Sequence, residues 1–346
     1  MSQRIPFAEA MASQPEQLVH VLASVRACLE TADLPPWKDG STLGVVAMGA
    51  SRNSGYVLLA ALARQGVRAT NPAASELLLA DLGGFQPADY HLVVSESGRS
   101  PEPLEAATRL GGPNRVGVTN YPRSQIAGCV DAVVGLGEVP DSGVYTVGYT
   151  GTLLAYGLLL QRLGLVPPSD LDGVPALVGD LLTRYAELVE PAAAVLAAAG
   201  AIDVVGQGTS FGAASELALM LREGLRTHAA AFETFEYLHG PMECLTPSSA
   251  VVLFGDGRET TVPDRLLAVG VPVVLVTTAE SVPAEGTPGL EVIRIPAQAD
   301  PLVRGVVEIV VSQLVLAAAA RTRGVPIDDF VFENLGTKLD AQPVAS

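Results

Sequence analysis

Short apolar runs alternate with longer amphipathic stretches along most of the chain, and the two periods predict strands and helices in turn. A strand over 43–48 feeds the glycine-bearing turn Gly49-Ala50-Ser51, and an apolar helical pattern covers 55–63. Strand 67–69, helix 75–81, strand 91–94, helix 101–110 and strand 115–119 follow, and a helix over 151–163 closes the unit. Before this unit, the segment up to about residue 39 reads as helix with a break at Pro35-Pro36. Short strands separated by helical patterns predict parallel strands joined by crossover helices.

Pro167-Pro168 opens a linker, and 171–199 reads as one long helix interrupted near Pro191. The alternation then restarts with strand 202–206, the turn Gln207-Gly208-Thr209-Ser210 and helix 213–225. Strands over 250–254, 271–276 and 291–295 come next, with a helix over 302–321 near the end. The motif strand, Gly-x-Ser turn, helix therefore occurs twice, which implies two pseudo-symmetric domains. The expected fold class is α/β, with two doubly wound parallel sheets. The expected divisions are a helical lead-in over 1–40, a first domain over 41–166, a helical linker over 167–200, a second domain over 201–322 and a tail over 323–346. Ligands of such open sheets sit beyond the carboxyl ends of the strands.

Composition narrows the partners. The formal net charge is −16, so nucleic acid and anionic membrane surfaces are disfavoured by repulsion. The apolar stretches over 153–160 and 309–320 are too short or too interrupted for a bilayer span. Glu9 and Gln14 interrupt the N-terminus and no apolar core follows, so no secretory signal is expected. Cys28, Cys129 and Cys244 lack paired spacing, the pattern of buried free thiols in a reducing, cytoplasmic setting. The four histidines are scattered, so no metal is expected, and no motif calls for a cofactor. Only Lys38 and Lys338 are lysines among the 21 basic residues.

Four sets of residues could carry chemistry. Ser95-Glu96-Ser97-Gly98-Arg99-Ser100-Pro101 follows a strand and opens a helix, so Ser95, Ser97 and Ser100 can surround a tetrahedral anion beside free helix N–H groups. An ordinary serine-capped loop has the same pattern. The matching strand end of the second half, Phe254-Gly255-Asp256-Gly257, has no serines, so the feature belongs to one copy. Glu223 ends an apolar helical face, where partial burial would raise its pKa and suit it as a base. A solvated carboxylate paired with Arg222 or Arg226 is the other reading. Glu236 to Pro241 reads as a loop entering a helix, with a His-Gly-Pro bend that presents His239 to a cleft or merely turns the chain. Lys338 is a rare lysine in an arginine-using chain, and an amine can act as a nucleophile where a guanidinium cannot. A mobile tail lysine is the alternative.

Met48-Gly49-Ala50-Ser51, Ala74-Ser75-Glu76, the serine loop and Val118-Thr119-Asn120-Tyr121-Pro122-Arg123-Ser124 resemble the first sugar-isomerase (SIS) domain in the isomerase half of glucosamine-6-phosphate synthase. Met11-Ala12-Ser13-Gln14-Pro15 resembles the same family's lead-in helix, and the stretch from Met220 through Pro241 resembles its catalytic segment without a gap. The resemblance runs in order along nearly the whole chain. It implies two SIS domains in a homodimer, with Ser95, Ser97 and Ser100 holding a sugar phosphate and Ser51 nearby. It implies that Val144 brings a backbone group to the sugar, although an ordinary loop valine fits equally. It further implies that Glu223 moves a proton between C1 and C2, and that His239 opens the ring across the dimer. Lys338 would correspond to the lysine of the family's Asn-Leu-x-Lys tail, which contacts substrate; here the tail reads Asn334-Leu335-Gly336-Thr337-Lys338, one residue longer.

Three departures matter. Glu96 stands where the family carries Gln, and it is expected to point away from the phosphate or to pair with Arg99. Met220 replaces a helix lysine, and no glutaminase domain accompanies the two α/β units. The expected activity is isomerisation of a phosphosugar, or deamination of an aminosugar phosphate, through an enediol or enolamine. Deglycation of a fructosamine 6-phosphate and a non-catalytic sugar-phosphate sensor are the rivals. Residues 1–40 carry three bases against five acids, which argues against the DNA-binding domain such a sensor often has.

Overall fold

The computed structural model describes residues 4–79, 86–332 and 336–340. The chain divides into two compact units, Met1–Pro175 with Val331–Ser346, and Ala176–Phe330.

In the first unit, helix α1 (Phe7–Thr31) precedes strand β1 (Thr42–Val46), helix α2 (Gly49–Ala63), strand β2 (Arg68–Thr70) and helix α3 (Ala74–Leu79). Strand β3 (Tyr90–Val94), helix α4 (Pro101–Leu110), strands β4 (Arg115–Thr119) and β5 (Ala132–Gly135), and helix α5 (Val147–Arg162) complete it. The strands form one parallel sheet in the order β2-β1-β3-β4-β5. Of the helix expected over 75–81, residues 80 and 81 lie outside the described residues.

The second unit repeats the plan. Helix α6 (Val174–Arg184) spans the boundary, and helix α7 (Glu190–Ala198) leads into strand β6 (Ala201–Gly206), helix α8 (Thr209–Gly224) and strand β7 (His228–Glu233). Helix α9 (Thr234–Leu238), strand β8 (Ser249–Phe254), helix α10 (Pro263–Ala268), strands β9 (Val273–Thr277) and β10 (Leu290–Arg294), and helix α11 (Pro301–Arg323) follow. Its sheet runs β10-β9-β8-β6-β7, again fully parallel. Read from β7 to β10, this is the order of the first sheet. The doubly wound pattern legible in the sequence is present in both units.

Several boundaries differ from expectation for identifiable reasons. The two Gly-x-Ser segments are not free turns: α2 begins at Gly49 (φ 53°), and α8 begins directly after Gly208 (φ 58°). The segment expected as one helix over 171–199 is two, α6 and α7. The leading helix ends at Thr31. It buries Phe7, Leu18, Val21, Leu22 and Val25 and packs on α5. Pro15 inside α1 has no N–H for the Met11 carbonyl; Gln14 Nε2 donates to it at 3.3 Å instead. Gln14 Oε1 in turn accepts from Thr150 Oγ1 of α5 at 2.9 Å.

Helix α11 is long and apolar enough to meet the composition of a membrane span, but its apolar window is 89% buried, packed against α7 and α8. It is the core helix of its unit. The thiols are free, yet they are not buried as expected: Cys28 and Cys129 are half-buried and Cys244 is exposed.

Candidate active site

The carboxyl ends of β1 and β3 in the first unit converge on the serine loop. Ser95 and Ser97 are buried. Ser95 Oγ donates to Ser100 Oγ at 3.2 Å and accepts from the Ser100 N–H at 3.4 Å. Ser97 Oγ accepts from the Arg99 N–H at 3.3 Å and from Lys338 Nζ at 3.1 Å. Gly98 takes φ 60° and sits so tightly that an added Cβ would overlap Ser124 Oγ. That positive φ folds the loop back at Gly98.

The helix contributes less than expected. Pro101 and Pro103 have no N–H, so within the first turn of α4 Glu102 is the only donor among residues 101–103. The donors grouped here are therefore mainly the serine hydroxyls and Lys338.

Lys338 Nζ also donates to the Tyr145 hydroxyl at 3.3 Å and lies 5.8 Å from its ring centroid. The tail is strapped to the loop by backbone: the Leu339 N–H donates to the Arg99 carbonyl at 2.9 Å, and Gln125 Nε2 donates to the Asp340 carbonyl at 2.7 Å. Burial pulls the Lys338 amine below its ordinary range, and the neighbouring Glu96 carboxylate works in the opposite direction. Residues 333–335, which include Asn334 and Leu335 of the tail motif, lie outside the described residues.

Of the two arrangements expected for Glu96, the pairing with Arg99 does not occur. Arg99 Nη1 instead reaches the Leu339 carbonyl at 3.4 Å. Glu96 turns inward and accepts from Asn120 Nδ2 at 3.1 Å, with the Tyr145 hydroxyl also directed at it. Burial pushes its carboxyl up, and the positive charge of Lys338 pulls it back. It lines a small pocket with Ser51, Ser54, Tyr145, Gly148 and Thr152. Ser51 belongs to the first turn of α2, and its carbonyl accepts from Ser54 Oγ at 2.7 Å. Val144 is buried, and its carbonyl is taken by the Ser142 hydroxyl.

Asp141 and Tyr145 escaped sequence reading. Asp141 is buried and accepts from the N–H groups of Ser142 (2.8 Å), Thr146 (3.0 Å) and Gly148 (2.6 Å) and from Thr146 Oγ1 (2.7 Å). Burial nonetheless raises its pKa to about 6. It fixes the loop that aims Tyr145. An acidic residue followed by hydroxyls before an apolar helix, Asp141-Ser142…Thr146, was the available signal.

The acid–base candidates lie in the second unit. Glu223 sits in the last turn of α8, half-buried, and burial alone raises its pKa to about 7. Neither arginine pairs with it: Arg222 Nη1 donates to the Ala229 carbonyl at 3.0 Å, and Arg226 reaches the Asp329 carbonyl. His239 is exposed and caps α9; it stands before a 3₁₀ turn (Pro241–Cys244), so the bend leaves one short helix rather than only entering another. Strand β7 separates the two residues. Helix α8 returns to the amino end of the sheet, where β7 starts at His228, while His239 follows its carboxyl end at Glu233. Six strand residues span about 20 Å. Glu223 and His239 of one chain thus lie at opposite ends of the sheet. Met220, at the family's lysine position, is buried.

The strand end matching the serine loop is occupied by the unit's own charges. Asp256 accepts from Thr277 Oγ1 at 2.9 Å and pairs with Arg304, whose Nε also bonds Glu308 Oε1 at 2.9 Å. Ser210 Oγ donates to the same Glu308 oxygen at 2.6 Å. Among the described residues, no three His, Cys, Asp or Glu side chains are grouped to hold a metal ion.

The family model "SIS domain" matches residues 195–323, the second unit alone. A glutamine–fructose-6-phosphate aminotransferase (isomerizing) of Aeropyrum pernix is 27% identical over 225 residues, covering 59% of this chain and 36% of its own length. The chain spans 36–44% of the length of the first curated relatives it matches. Among solved structures, the C-terminal domain of glucosamine-fructose-6-phosphate aminotransferase from Francisella tularensis superposes with a TM-score of 0.79 at 20% identity, covering 93% of this chain and 98% of that one. Glucosamine-6-phosphate deaminase from Thermotoga maritima gives 0.73 at 19% identity, covering 94% and 97%. Residues 195–323 match the SIS domain model, and over 59% of its length the chain is similar to a glutamine–fructose-6-phosphate aminotransferase (isomerizing).

Proposed function

We propose that the chain is a sugar-phosphate enzyme. It interconverts the aldose and ketose forms of a hexose 6-phosphate, or deaminates a hexosamine 6-phosphate, through an enediol or enolamine. The observation that carries this reading is the Ser95–Ser97–Ser100 cluster with the Lys338 amine on Ser97 Oγ. Hydroxyls joined by one cation suit a phosphate monoester. The matching sheet orders of the two units support reading the first as a second SIS copy.

In this scheme His239 opens the sugar ring. Glu223 takes the proton from C2 of the open aldose as O1 is protonated, and returns it to C1 as O2 gives up its own proton. With nitrogen at C2, the enolamine tautomerises to an imine, and water releases ammonia to leave the ketose. Burial has raised the Glu223 pKa to about 7, which suits a base near neutrality. Lys338 and the Tyr145 hydroxyl can stabilise negative charge developing on oxygen. Because Glu223 and His239 of one chain lie at opposite ends of the sheet, the complete set is assigned to a homodimer. Incubation of the purified protein with a panel of hexose and hexosamine 6-phosphates should show ketose formation from at least one member. A panel with no turnover and no binding would remove the reading.

A further inference from the structure

We propose that Glu96 is a positioning residue that holds the Lys338 side chain on the serine loop as an ammonium ion. The inference rests on the sugar-phosphate reading above, because the ion it fixes is the one that reading places at the phosphate.

The groups form one chain of contacts. Lys338 Nζ donates to Ser97 Oγ at 3.1 Å and to the Tyr145 hydroxyl at 3.3 Å. Tyr145 directs its hydroxyl at the Glu96 carboxylate, which also accepts from Asn120 Nδ2 at 3.1 Å. A phenol has one proton to give. With that proton on Glu96, the Tyr145 oxygen turns only lone pairs toward Nζ. Ser97 Oγ accepts as well, from Nζ and from the Arg99 N–H at 3.3 Å. The amine thus meets acceptors, and an ammonium, with three donors and no acceptor, is the form that suits them. Glu96 is itself anchored by backbone: its carbonyl accepts from the Asn120 N–H at 2.9 Å and from Thr119 Oγ1 at 3.1 Å.

The surrounding charges make this carboxylate decisive. Burial acts against the ion, and Arg99 and Arg4 add like charge to it. Glu96 and, more weakly, Glu102 in the first turn of α4 act for it. Asp141 is satisfied by the N–H groups of its own loop, and its charge falls on Glu96 and Tyr145. A glutamine at 96 could still accept from Asn120 but would remove the strongest charge favouring the ammonium. Burial and two guanidinium groups would then stand against Glu102 alone, and Lys338 would lose its proton at lower pH.

The chain has only two lysines, so Lys338 can be read directly. Protein carrying isotope-labelled lysine is titrated by NMR, with the exposed Lys38 assigned through Lys38→Arg and kept as the internal reference. Wild-type Lys338 should hold its ammonium shift at pH 8.5, and in Glu96→Gln it should titrate at least about one pH unit lower than in wild type. Wild-type Lys338 already neutral at pH 8.5, or a titration unmoved in Glu96→Gln, overturns the role of Glu96. The first of these readings needs no variant, and a melting curve checks that the second comes from folded protein. Calorimetry with glucitol 6-phosphate, which has no carbonyl and cannot turn over, tests the link to the phosphate. Between pH 7.5 and pH 9 the affinity of Glu96→Gln should fall at least about threefold further than that of wild type. An equal fall in both proteins separates the ammonium from the phosphate and overturns the proposal. Failure of wild type to bind the compound counts against the sugar-phosphate reading, while the lysine titration still decides whether Glu96 holds the ion.

Discussion

The Lys338 amine rests on Ser97 Oγ at 3.1 Å, although 241 residues separate the two along the chain. One of the chain's two lysines is thus placed on the loop whose serine spacing first suggested an anion site. The tail segment 338–340 is held there by the Leu339 N–H on the Arg99 carbonyl and by Gln125, so the contact is not that of a solvated tail lysine.

If the three serines hold the phosphate, a combined Ser95→Ala, Ser97→Ala and Ser100→Ala variant loses several hydrogen bonds to a charged group, each worth roughly 1.5–3 kcal/mol. Sugar-phosphate affinity should fall by orders of magnitude while the melting temperature changes little. Calorimetry that finds the affinity unchanged would remove the serine loop from the site.

The six inner strands of this architecture were legible in the sequence, and of the four edge strands β2 and β10 were legible while β5 and β7 were not. The strands β1, β3, β4, β6, β8 and β9 lie inside their sheets, are largely buried on both faces and carry short apolar runs, interrupted in β3 by His91 and in β6 by Asp203. The edge strand β5 is only four residues, and β7 reads His-Ala-Ala-Ala-Phe-Glu, which lacks the β-branched residues that mark a strand. Both went unseen. Ser95, Ser97 and Lys338 were visible because hydroxyl spacing and lysine scarcity are properties of the chain itself. The partners of Glu96 were not, because Asn120 and Tyr145 reach it only through the folded loops after β4 and β5.

Gly98 tests the loop's shape independently of its hydroxyls. Its φ of 60° disfavours any side chain, and a Cβ would also lie 3.0 Å from Thr119 Oγ1 and overlap Ser124 Oγ. Gly98→Ala should destabilise the first unit by about 1–3 kcal/mol and weaken sugar-phosphate binding with every serine still present. Denaturant melts and calorimetry on the same sample measure both. A variant with wild-type stability and affinity would show that the loop tolerates another path.

Glu223 makes a prediction of definite sign. Burial raises its pKa from 4.5 to about 7 in the folded chain, so folding favours the neutral carboxyl. The resulting stabilisation is full below pH 4.5 and is lost as pH rises through about 7. Glu223→Gln, which stays neutral, should therefore match wild type near pH 4.5 and exceed it at pH 8, by at most ~3 kcal/mol. Catalysis runs the other way, because the base must be ionised: wild-type activity should rise with pH through about 7. Urea unfolding at the two pH values checks the first statement and a pH–rate profile the second. A Gln variant less stable than wild type at pH 8 would contradict the assigned burial.

The separation of Glu223 and His239 along β7 predicts complementation between subunits. Mixing inactive Glu223→Gln and His239→Ala chains under subunit exchange should restore part of the activity, since one mixed site regains both groups. Heterodimers verified by mass that show no recovery would mean that each reaction draws on one chain alone.

The last prediction separates an enzyme from a sugar-phosphate sensor, because both bind and only one moves a proton. Glu223→Gln preserves size and most hydrogen bonding while removing the base, so binding should survive. Loss of a general base costs typically about 10²–10⁴ in rate. A C2-deuterated aldose 6-phosphate reports the step directly. Wild type should transfer the label to C1 or release it to solvent as the enediol forms, whereas Glu223→Gln should leave it at C2 on the same timescale. The two readings diverge in wild type: a sensor binds the sugar with the deuterium untouched, whatever residue stands at 223. Retention of the label by wild type across sugars that it demonstrably binds would replace the isomerase reading with the sensor. Loss of the label from both proteins at equal rates would keep the enzyme and move the base to another residue.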